Sequence, residues 1–376
     1  MKISIVTGIV VDHDAISGSV VWQARELAKL PDVEEVAVFA LHFGRGDLQQ
    51  HYQVGSAWAL LRHPFFATSD IAVFHFGVRY SLFPAIHHLS FLDRRPLLVA
   101  HYHNVTPPRL VPLSDRETQV ESLAQAELIA VADRVWAVSE FNRTDLIAMG
   151  VREENIRVIP IPVELPKVPV GDEVRTTKRV LYVGRIVPAK GVECLLDAFE
   201  IVAANESLPC ELVIAGNSSL SDDSYVSMLR QRVQSSPALR RSVSFRSQPS
   251  DAELWQLYLT SDVFATATHH EGLCLPIVEA AMAGCFIAAT SAGNIPFLMD
   301  SGALADVGDH KHLARAITEA LRRLPQYRPP QSILDEHSPL SVIEIMKEEI
   351  RDLGRAQASN AERGARNNSP TTKDVT

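Results

Sequence analysis

Two glutamates in the second half of the chain, Glu271 and Glu279, have the types and spacing expected of a ligand site. A turn containing Gly272 separates them, leading from an apolar strand pattern into a helical one, and glycine lets a ligand approach the backbone. Backbone N–H groups at such a helix N-terminus bind phosphates, and two carboxylates beyond a strand end suit sugar and ribose hydroxyls. The same spacing also fits a plain strand–turn–helix unit in which Glu279 is a favourable acid in the first helical turn.

A second group of candidate residues follows the first strand pattern of the second half. Gly184 and Arg185 come directly after the strand, and Lys190 lies further along the same loop. A guanidinium binds a diphosphate through two hydrogen bonds, and an ammonium adds a point charge. These cations are suited to neutralising a diphosphate leaving group, although a solvated loop would show the same residues.

The first half of the chain contributes two histidines at a strand end. His101 and His103 precede a proline-stiffened loop, a position from which an imidazole hydrogen-bonds a substrate hydroxyl. The spacing also fits a metal pair, but no third ligand of suitable spacing is evident nearby, so no metal is expected. The sequence leaves open which histidine is functional and which is structural.

The loop after the first strand carries Gly18, just before a helical pattern. A glycine there would bring backbone amides near a phosphate or an acceptor. A plain turn is the simpler interpretation of a lone glycine.

These residues need a scaffold that places strand ends side by side, and the patterning of the chain supplies one. Short β-rich runs alternate with helical runs, which is typical of βαβ units and a mostly parallel sheet. The alternation occurs twice, so the predicted fold class is α/β with two Rossmann-like, doubly wound domains. The predicted strands are 2–7, 35–40, 71–75, 96–101, 134–138 and 156–159, then 179–183, 211–215, 243–245, 263–267 and 286–289. The predicted helices are 20–29, 117–130, 140–149, 192–204, 225–235, 251–260, 276–283 and 338–354.

The domain boundaries follow from composition. Four prolines between residues 160 and 172 deny both helix and central strand, so this stretch is the predicted linker. The first domain is then 1–165 and the second 166–335, followed by a helix within 336–354. Residues 355–376 have almost no large apolar side chain and are predicted to form a disordered tail.

Bulk composition excludes several classes of protein. The 376 residues are 46% hydrophobic and 22% charged with a net charge of −9, which fits two cores and argues against a nucleic-acid binder. The four cysteines form no C-x-x-C pair, so a reducing cytoplasm is expected, without a disulfide framework or zinc knuckle. The N-terminal pattern is that of a strand and not of a signal peptide. No run approaches the roughly 20 apolar residues that cross a bilayer, so any membrane contact would be peripheral.

Taken together, these segments resemble the retaining GT-B glycosyltransferases with the E-x7-E motif, the glycosyl transferase group 1 family. Seven residues separate Glu271 from Glu279, as the motif requires. The similarity covers residues 1–324. Its other anchors are Gly184, Arg185, Lys190 and Gly191, the run Val138-Ser139-Glu140-Phe141-Asn142, and the run His103-Asn104-Val105-Thr106-Pro107.

The resemblance implies two domains that face a cleft, with 336–354 as a crossover helix, and it implies roles for individual residues. Arg185 and Lys190, next to Gly184, would hold the donor diphosphate, and Glu279 the ribose hydroxyls. Glu271 and His103 would meet the transferred sugar. The amides that would line the sugar–phosphate pocket are those of Gly272, Leu273 and Cys274. Gly18 would lie near phosphate and acceptor, although this chain has Ser17-Gly18 where the family often has two adjacent glycines.

The reaction implied by the resemblance moves a sugar from a nucleotide-diphosphate sugar to the hydroxyl of a sugar, lipid-linked or other acceptor, with retention. Polysaccharide, glycolipid or glycoconjugate synthesis is the expected setting, in the cytoplasm and with peripheral contact at the inner face of the membrane. Because there is no D-x-D triplet, the cations are expected to replace a divalent metal, and no cofactor is expected. Another GT-B enzyme, an epimerase or a phosphorylase, and a non-catalytic binding subunit remain as alternatives. An oxidoreductase is disfavoured, because no strand pattern is followed by G-x-G-x-x-G.

Overall fold

The computed structural model describes residues 1–166, 177–205, 209–216, 223–299, 304–323 and 329–367, with side chains up to residue 357. The strands are β1 (Lys2–Val6), β2 (Ile9–Val10), β3 (Glu35–Ala40), β4 (His42–Phe43), β5 (His51–Gln53), β6 (Ile71–Phe76), β7 (Leu97–Tyr102), β8 (Arg134–Ala137), β9 (Ile156–Val158), β10 (Lys178–Val183), β11 (Cys210–Gly216), β12 (Val243–Ser247), β13 (Val263–Thr266), β14 (Phe286–Thr290) and β15 (Leu304–Ala305).

The α-helices are α1 (Ala15–Leu27), α2 (Ala57–Leu61), α3 (Pro64–Ala67), α4 (Ala85–Ser90), α5 (Arg116–Ala126), α6 (Glu140–Ala148), α7 (Val192–Ala203), α8 (Asp223–Ser235), α9 (Pro237–Ser242), α10 (Asp251–Leu259), α11 (Leu275–Met282), α12 (Ile295–Leu298), α13 (His310–Arg323), α14 (Gln331–Glu336) and α15 (Pro339–Asn367). Short 3-10 turns lie at Pro108–Leu110, Leu113–Asp115, Glu127–Val131, Glu153–Asn155 and Pro188–Lys190.

Two parallel sheets organise the chain. The first has the order β5-β3-β1-β6-β7-β8-β9 and the second the order β12-β11-β10-β13-β14-β15, while β2 and β4 form a separate short pair. The first sheet is built from strands within residues 1–165 and the second from strands within 166–335. The predicted α/β class with two Rossmann-like sheets is confirmed.

Both faces of each sheet are buried. Along β6, Ile71 and Val73 point into one core, whereas Ala72 and Phe74 point into the other. In the first sheet α1 and α15 cover one face and α2, α3 and α4 the opposite face. In the second sheet α7 and α13 lie on one face, and α11 and α14 on the other. Burial on both sides explains why these strands are nearly continuous apolar runs in the sequence.

The strand order reverses once in each sheet, between β1 and β6 in the first and between β10 and β13 in the second. Open α/β sheets bind ligands in the crevice outside the carboxyl ends of the strands at such a point. The loops that follow β10 and β13 therefore share one crevice.

The last helix, α15, returns to the first half of the chain. Its Val342, Met346 and Ile350 are buried in the same core as Ile3 and Trp136. The helix extends to Asn367, beyond the predicted start of a disordered tail at residue 355. That expectation is corrected for 355–367, where alanine, arginine, glutamate and glutamine favour continuation of the helix. The remaining tail residues, 368–376, and the linker residues 167–172 lie outside the described residues. In the described part of the chain, no helix combines the length and apolarity that crossing a membrane requires.

One buried polar contact joins α15 to the first sheet. The Trp136 Nε1–H donates to Glu349 Oε1 at 3.1 Å, and Glu349 is only 3% exposed. The guanidinium of Arg134 lies 2.9 Å from the same carboxylate oxygen. Removing the carboxylate would leave a buried indole N–H without an acceptor.

We expect Glu349→Ala to lower the free energy of unfolding by about 2 kcal/mol, because a buried hydrogen bond to a charged group is lost. The adjacent Glu348→Ala is the matched control. Glu348 pairs with Arg157 at 3.1 Å through two exposed side chains, so its loss should cost less than about 1 kcal/mol. Urea denaturation followed by circular dichroism measures both variants, and equal losses would contradict the role assigned to Glu349.

Candidate functional site

A rigid turn at the switch point of the second sheet positions Lys190. The His269 N–H donates to the carbonyl oxygen of Ala189 at 2.9 Å, which holds the turn against the end of β13. Gly191 ends the turn with φ +65°, and a Cβ on Gly191 would lie 2.0 Å from the carbonyl oxygen of Ala267. Only glycine fits this close approach in a left-handed conformation.

Lys190 and Glu271 form an ion pair in this crevice. The Lys190 Nζ donates to Glu271 Oε1 at 2.7 Å, and the two side chains are 21% and 11% exposed. The structure thus brings together one cation and one carboxylate that the sequence placed in separate loops. A ligand with both phosphate and hydroxyl groups would find a donor and an acceptor side by side.

Arg185 lies in the same loop as Lys190, but its side chain is exposed and makes no ion pair with any described residue. The preceding Gly184 is fixed in the sheet, because its N–H donates to the carbonyl oxygen of Ala215 at 3.1 Å. A Cβ on Gly216 would lie 1.9 Å from the carbonyl oxygen of Gly184. The backbone at the start of the loop is therefore held, while the guanidinium of Arg185 is available to an anion.

Glu279 lies on α11, where Tyr258 supports it. The Tyr258 hydroxyl donates to Glu279 Oε2 at 2.7 Å, and Oε1 accepts no hydrogen bond from any described residue. Burial raises the pKa of Glu279 above its usual value, against the opposing effect of the Tyr258 hydrogen bond. The second oxygen is left for a ligand hydroxyl.

Gly272 contacts the first half of the chain. A Cβ on Gly272 would lie 2.5 Å from Asn104 Cβ and 3.1 Å from Asn142 Oδ1. His270 Nε2 lies 2.6 Å from Asn104 Oδ1, in the same contact. The expectation that Gly272 leaves room for a ligand is corrected at this side of the residue, since Asn104 occupies the space.

Ser139 and Asn294 both hold the Glu271 loop in place. In the sequence, Ser139 is included only as part of a motif and Asn294 is not singled out. Ser139 caps α6 and also donates through Oγ to the carbonyl oxygen of Gly272. The Asn294 N–H donates to the carbonyl oxygen of Glu271 at 2.9 Å, and Asn294 Oδ1 accepts from the Phe141 N–H at 3.4 Å. Asn294 gave no signal beyond a polar residue after a strand.

The side chains of Leu273 and Cys274 are both buried, but the Cys274 thiol contacts Glu271, and burial together with this carboxylate raises the pKa of the thiol well above its usual value. Leu273 is buried against Val138 and Ile161 of the first half. Cys274 is 4% exposed and has φ +68° at the N-cap of α11. A left-handed conformation is costly for a residue with a Cβ.

Three histidines meet at the end of the first sheet. His75 on β6 is the register partner of His101 on β7, and His103 follows on the same face because side chains alternate along a strand. His75 Nδ1 lies 2.9 Å from His103 Nε2. The expectation that no third ligand lies near His101 and His103 is therefore wrong, because one nitrogen of each of the three imidazoles lies within 4.8 Å of the others. The sequence signal was a histidine in the neighbouring strand, which spacing along one strand does not reveal.

Burial keeps this cluster neutral. His75 and His101 are both 1% exposed, and burial lowers their pKa values well below the usual range, with a smaller effect from the neighbouring imidazoles. Burial also lowers the pKa of His103 to about 3. His101 is buried, whereas the partly buried His103 lies next to Asn104 and the contact with the second half.

Gly18 lies inside α1 and not in the loop before it, which corrects the expected start of that helix. Asp14 caps α1 by accepting from the Ser17 N–H at 2.8 Å, so the helix begins before Gly18. Gly18 is exposed and has nothing within 4 Å of where a Cβ would be. Ile16, in the first turn, approaches the loop of His103, since a Cβ on Gly77 would lie 2.6 Å from Ile16 Cδ1 and 3.4 Å from His103 Cβ.

At position 274 we expect Cys274→Gly to be more stable than Cys274→Ala by roughly 1 kcal/mol, because glycine adopts the left-handed conformation freely. Cys285 is the matched control: it is buried but has no positive φ, so there alanine should be the more stable replacement. Urea midpoints of the four variants test this. The same order of stability at both positions would contradict strain at Cys274.

The His103 environment predicts a pH dependence of stability. Its folded pKa is lowered, so its contribution is fully present above the usual histidine pKa of about 6.5 and is lost as pH falls toward the folded value of about 3. Between pH 6.5 and 5 this loss approaches about 1.4 kcal/mol per pH unit. His103→Gln should make the free energy of unfolding fall less steeply over this range, while the exposed His88→Gln should not. Identical slopes for wild type and His103→Gln would rule out the shift.

Comparison with known proteins matches each half of the chain to a glycosyltransferase family. Residues 169–328 match the family described as Glycosyl transferases group 1, and residues 19–166 match Glycosyltransferase Family 4. O-antigen chain mannosyltransferase B of Escherichia coli is 23% identical over 143 residues, 38% of this chain and 36% of that protein. Mannosylfructose-phosphate synthase of Agrobacterium fabrum is 26% identical over 158 residues, 39% of this chain and 35% of that protein. The alignments thus span only about a third of these relatives.

A solved structure is similar over nearly the whole chain. Anabaena HepE, in complex with UDP and glucose, has a TM-score of 0.70 at 18% identity, covering 94% of this chain and all (100%) of that one. The similarity shows the fold, which is GT-B. Both family matches and the shared fold support a glycosyltransferase of the GT-B type.

Proposed function

We propose that this chain transfers a sugar from a nucleotide-diphosphate sugar to an acceptor hydroxyl with retention of the anomeric configuration. The observation that carries the proposal is the Lys190–Glu271 pair, which lies at the switch point of the second sheet. The setting we propose is polysaccharide, glycolipid or glycoconjugate synthesis on the cytoplasmic side of a membrane. The relative named as a mannosyltransferase and the complex of HepE with UDP and glucose support a nucleotide-sugar donor.

The donor would lie across the loops that follow β10 and β13. Its diphosphate would be bound by Arg185 and Lys190 and by the backbone amides of Gly272, Leu273 and Cys274 at the start of α11. Helix N-termini favour negative charge, and their N–H groups have no partner within the helix. Glu279 would accept from the ribose hydroxyls through the oxygen that Tyr258 does not occupy.

The transferred sugar would lie between Glu271 and His103, one from each half. Contact between His270 and Asn104 supports this placement, because it brings the two loops together. As the bond to the diphosphate breaks, negative charge grows on the leaving group, and Arg185 and Lys190 would stabilise it. Catalysis of this kind consists of positioning and charge stabilisation, with the acceptor hydroxyl attacking from the face that the diphosphate leaves. The two cations would take the role that a divalent metal plays in other transferases.

Because Lys190 and Glu271 form an ion pair, replacing each of them alone should affect diphosphate binding differently. A nucleoside diphosphate that raises the melting temperature is first chosen from a panel, since a ligand of the folded state stabilises it. Lys190→Ala should weaken binding of that diphosphate and lower kcat/KM for its sugar nucleotide by at least about 10²-fold. Glu271→Ala should reduce turnover by a similar factor but leave diphosphate binding unchanged or stronger, because Lys190 loses its competing carboxylate.

Glu319→Ala serves as the control, since Glu319 is a partly exposed residue of α13 with an i,i+4 pair to Arg323. Calorimetry measures the dissociation constants, and product analysis with a labelled sugar nucleotide measures transfer and the configuration of the product. Normal turnover in Glu271→Ala would contradict the proposed function. A product with inverted anomeric configuration would contradict retention. Loss of activity on chelation with EDTA would contradict the proposal that the two cations take the role of a divalent metal.

A further inference from the structure

The side chain of Gln23 lies within hydrogen-bond distance of two of the three histidines, His75 and His101. Gln23 lies on α1, which covers the face of the first sheet that carries His75 and His101, and it is 2% exposed. Its Oε1 lies 3.1 Å from His75 Nε2, and its Nε2 lies 2.9 Å from His101 Nδ1. One amide therefore bridges two imidazoles, with its oxygen at one and its nitrogen at the other.

The bridge forces opposite roles on the two imidazole nitrogens that contact it. An amide oxygen only accepts and an amide NH2 only donates, so one of these nitrogens carries a proton and the other carries a lone pair. With Gln23 oriented as in the structure, His75 is protonated at Nε2, and His101 accepts at Nδ1 and is protonated at Nε2.

The protonation of His75 in turn determines the protonation of His103. Because His75 then has a lone pair at Nδ1, His103 must donate to it from Nε2, and its own Nδ1 becomes an acceptor. Turning the Gln23 amide by half a turn would reverse every bond in this chain. All three histidines would then be protonated at Nδ1, so a neutral cluster has the same tautomer at all three positions in either orientation.

The same reasoning bears on metal binding. A metal ion at the centre needs a lone pair from each imidazole, on the nitrogen that does not face Gln23. The Gln23 bridge allows only one of His75 and His101 to offer such a lone pair at a time. Three-histidine coordination would therefore require the buried amide to leave at least one of the two imidazoles.

We propose that Gln23 is a positioning residue that sets, through His75, which nitrogen of His103 is protonated, and so fixes His103 as a hydrogen-bond acceptor at Nδ1. This inference rests on the proposed function for one part, namely that His103 contacts the transferred sugar. An imidazole that accepts at Nδ1 takes a hydrogen bond from a sugar hydroxyl and orients its oxygen. The tautomer itself is a property of the folded chain and is measured without a substrate.

Nitrogen chemical shifts of 15N-histidine-labelled protein distinguish protonated from unprotonated imidazole nitrogens. We expect His75, His101 and His103 to be protonated at Nε2 in the wild type at pH 8, where all three are neutral because burial lowers their pKa values. Single His→Asn variants assign the signals. Different tautomers within the wild-type cluster, or protonation at Nδ1 of His103, would overturn the proposal.

Gln23→Glu gives a second, selective test. A carboxylate accepts at both ends, so His75 and His103 should keep their Nε2 protons while His101 changes to protonation at Nδ1. Gln23→Leu removes the bridge altogether and should give mixed tautomers at His75 and His103. Unchanged tautomers in both variants would show that Gln23 does not set them.

Kinetics then separate positioning from packing. Gln23→Leu should lower kcat by about tenfold, the kinetic equivalent of one lost hydrogen bond between His103 and the sugar, while KM for the donor changes little. Val20→Ala, which removes buried side-chain volume from the same helix without touching the bridge, should keep both the tautomers and kcat. A normal kcat in Gln23→Leu with altered tautomers would overturn the positioning role, whereas a wild type that transfers no sugar would overturn only the proposed function.

Discussion

The parallel pairing of β10 with β13 is the constraint on which the candidate site depends. Because the two strands run in the same direction, their following loops emerge at one edge of the sheet. No strand inserts between them, so Lys190 and Glu271 meet although they are far apart in sequence. Each loop is then fixed by backbone contacts, at Ala189 for one and at Asn294 for the other. Because backbone hydrogen bonds already fix both loops, the two side chains of the ion pair need little further ordering when a ligand binds.

Contact between the halves at the Glu271 loop combines small and polar groups with an apolar contact of Leu273 against Val138 and Ile161. Gly272 has no side chain, and Asn104 fills that space while its Oδ1 accepts from His270 Nε2. Ser139 and Asn294 add hydrogen bonds from either side of the same loop. Interfaces between domains of one chain are commonly more polar than permanent ones, and the polar part of this contact is of that kind.

The sequence predicted the two sheets and the loops at the second switch point, because strand periodicity and the spacing of charged residues are local properties. It did not predict the role of Gln23 or His75, since these residues meet His101 only through strand register and helix packing. The helical pattern predicts a start of α1 after Gly18, whereas the Asp14 cap starts the helix at Ala15. Helix α13 is not among the predicted helices, although Leu313, Ile317 and Leu321 recur at helical spacing and are buried.

The two crossings between the halves lie side by side. The Val163 N–H donates to the carbonyl oxygen of His337 at 2.9 Å, and His337 Nδ1 lies 2.8 Å from the carbonyl oxygen of Ile161. The chain therefore leaves the first half and re-enters it at one place, and the second half has the topology of an insertion. A single backbone cut between β9 and β10 would leave two fragments that still share a core, since α15 belongs to one fragment and packs with the other. Such fragments should reassemble when mixed, with α15 as the segment that brings them together.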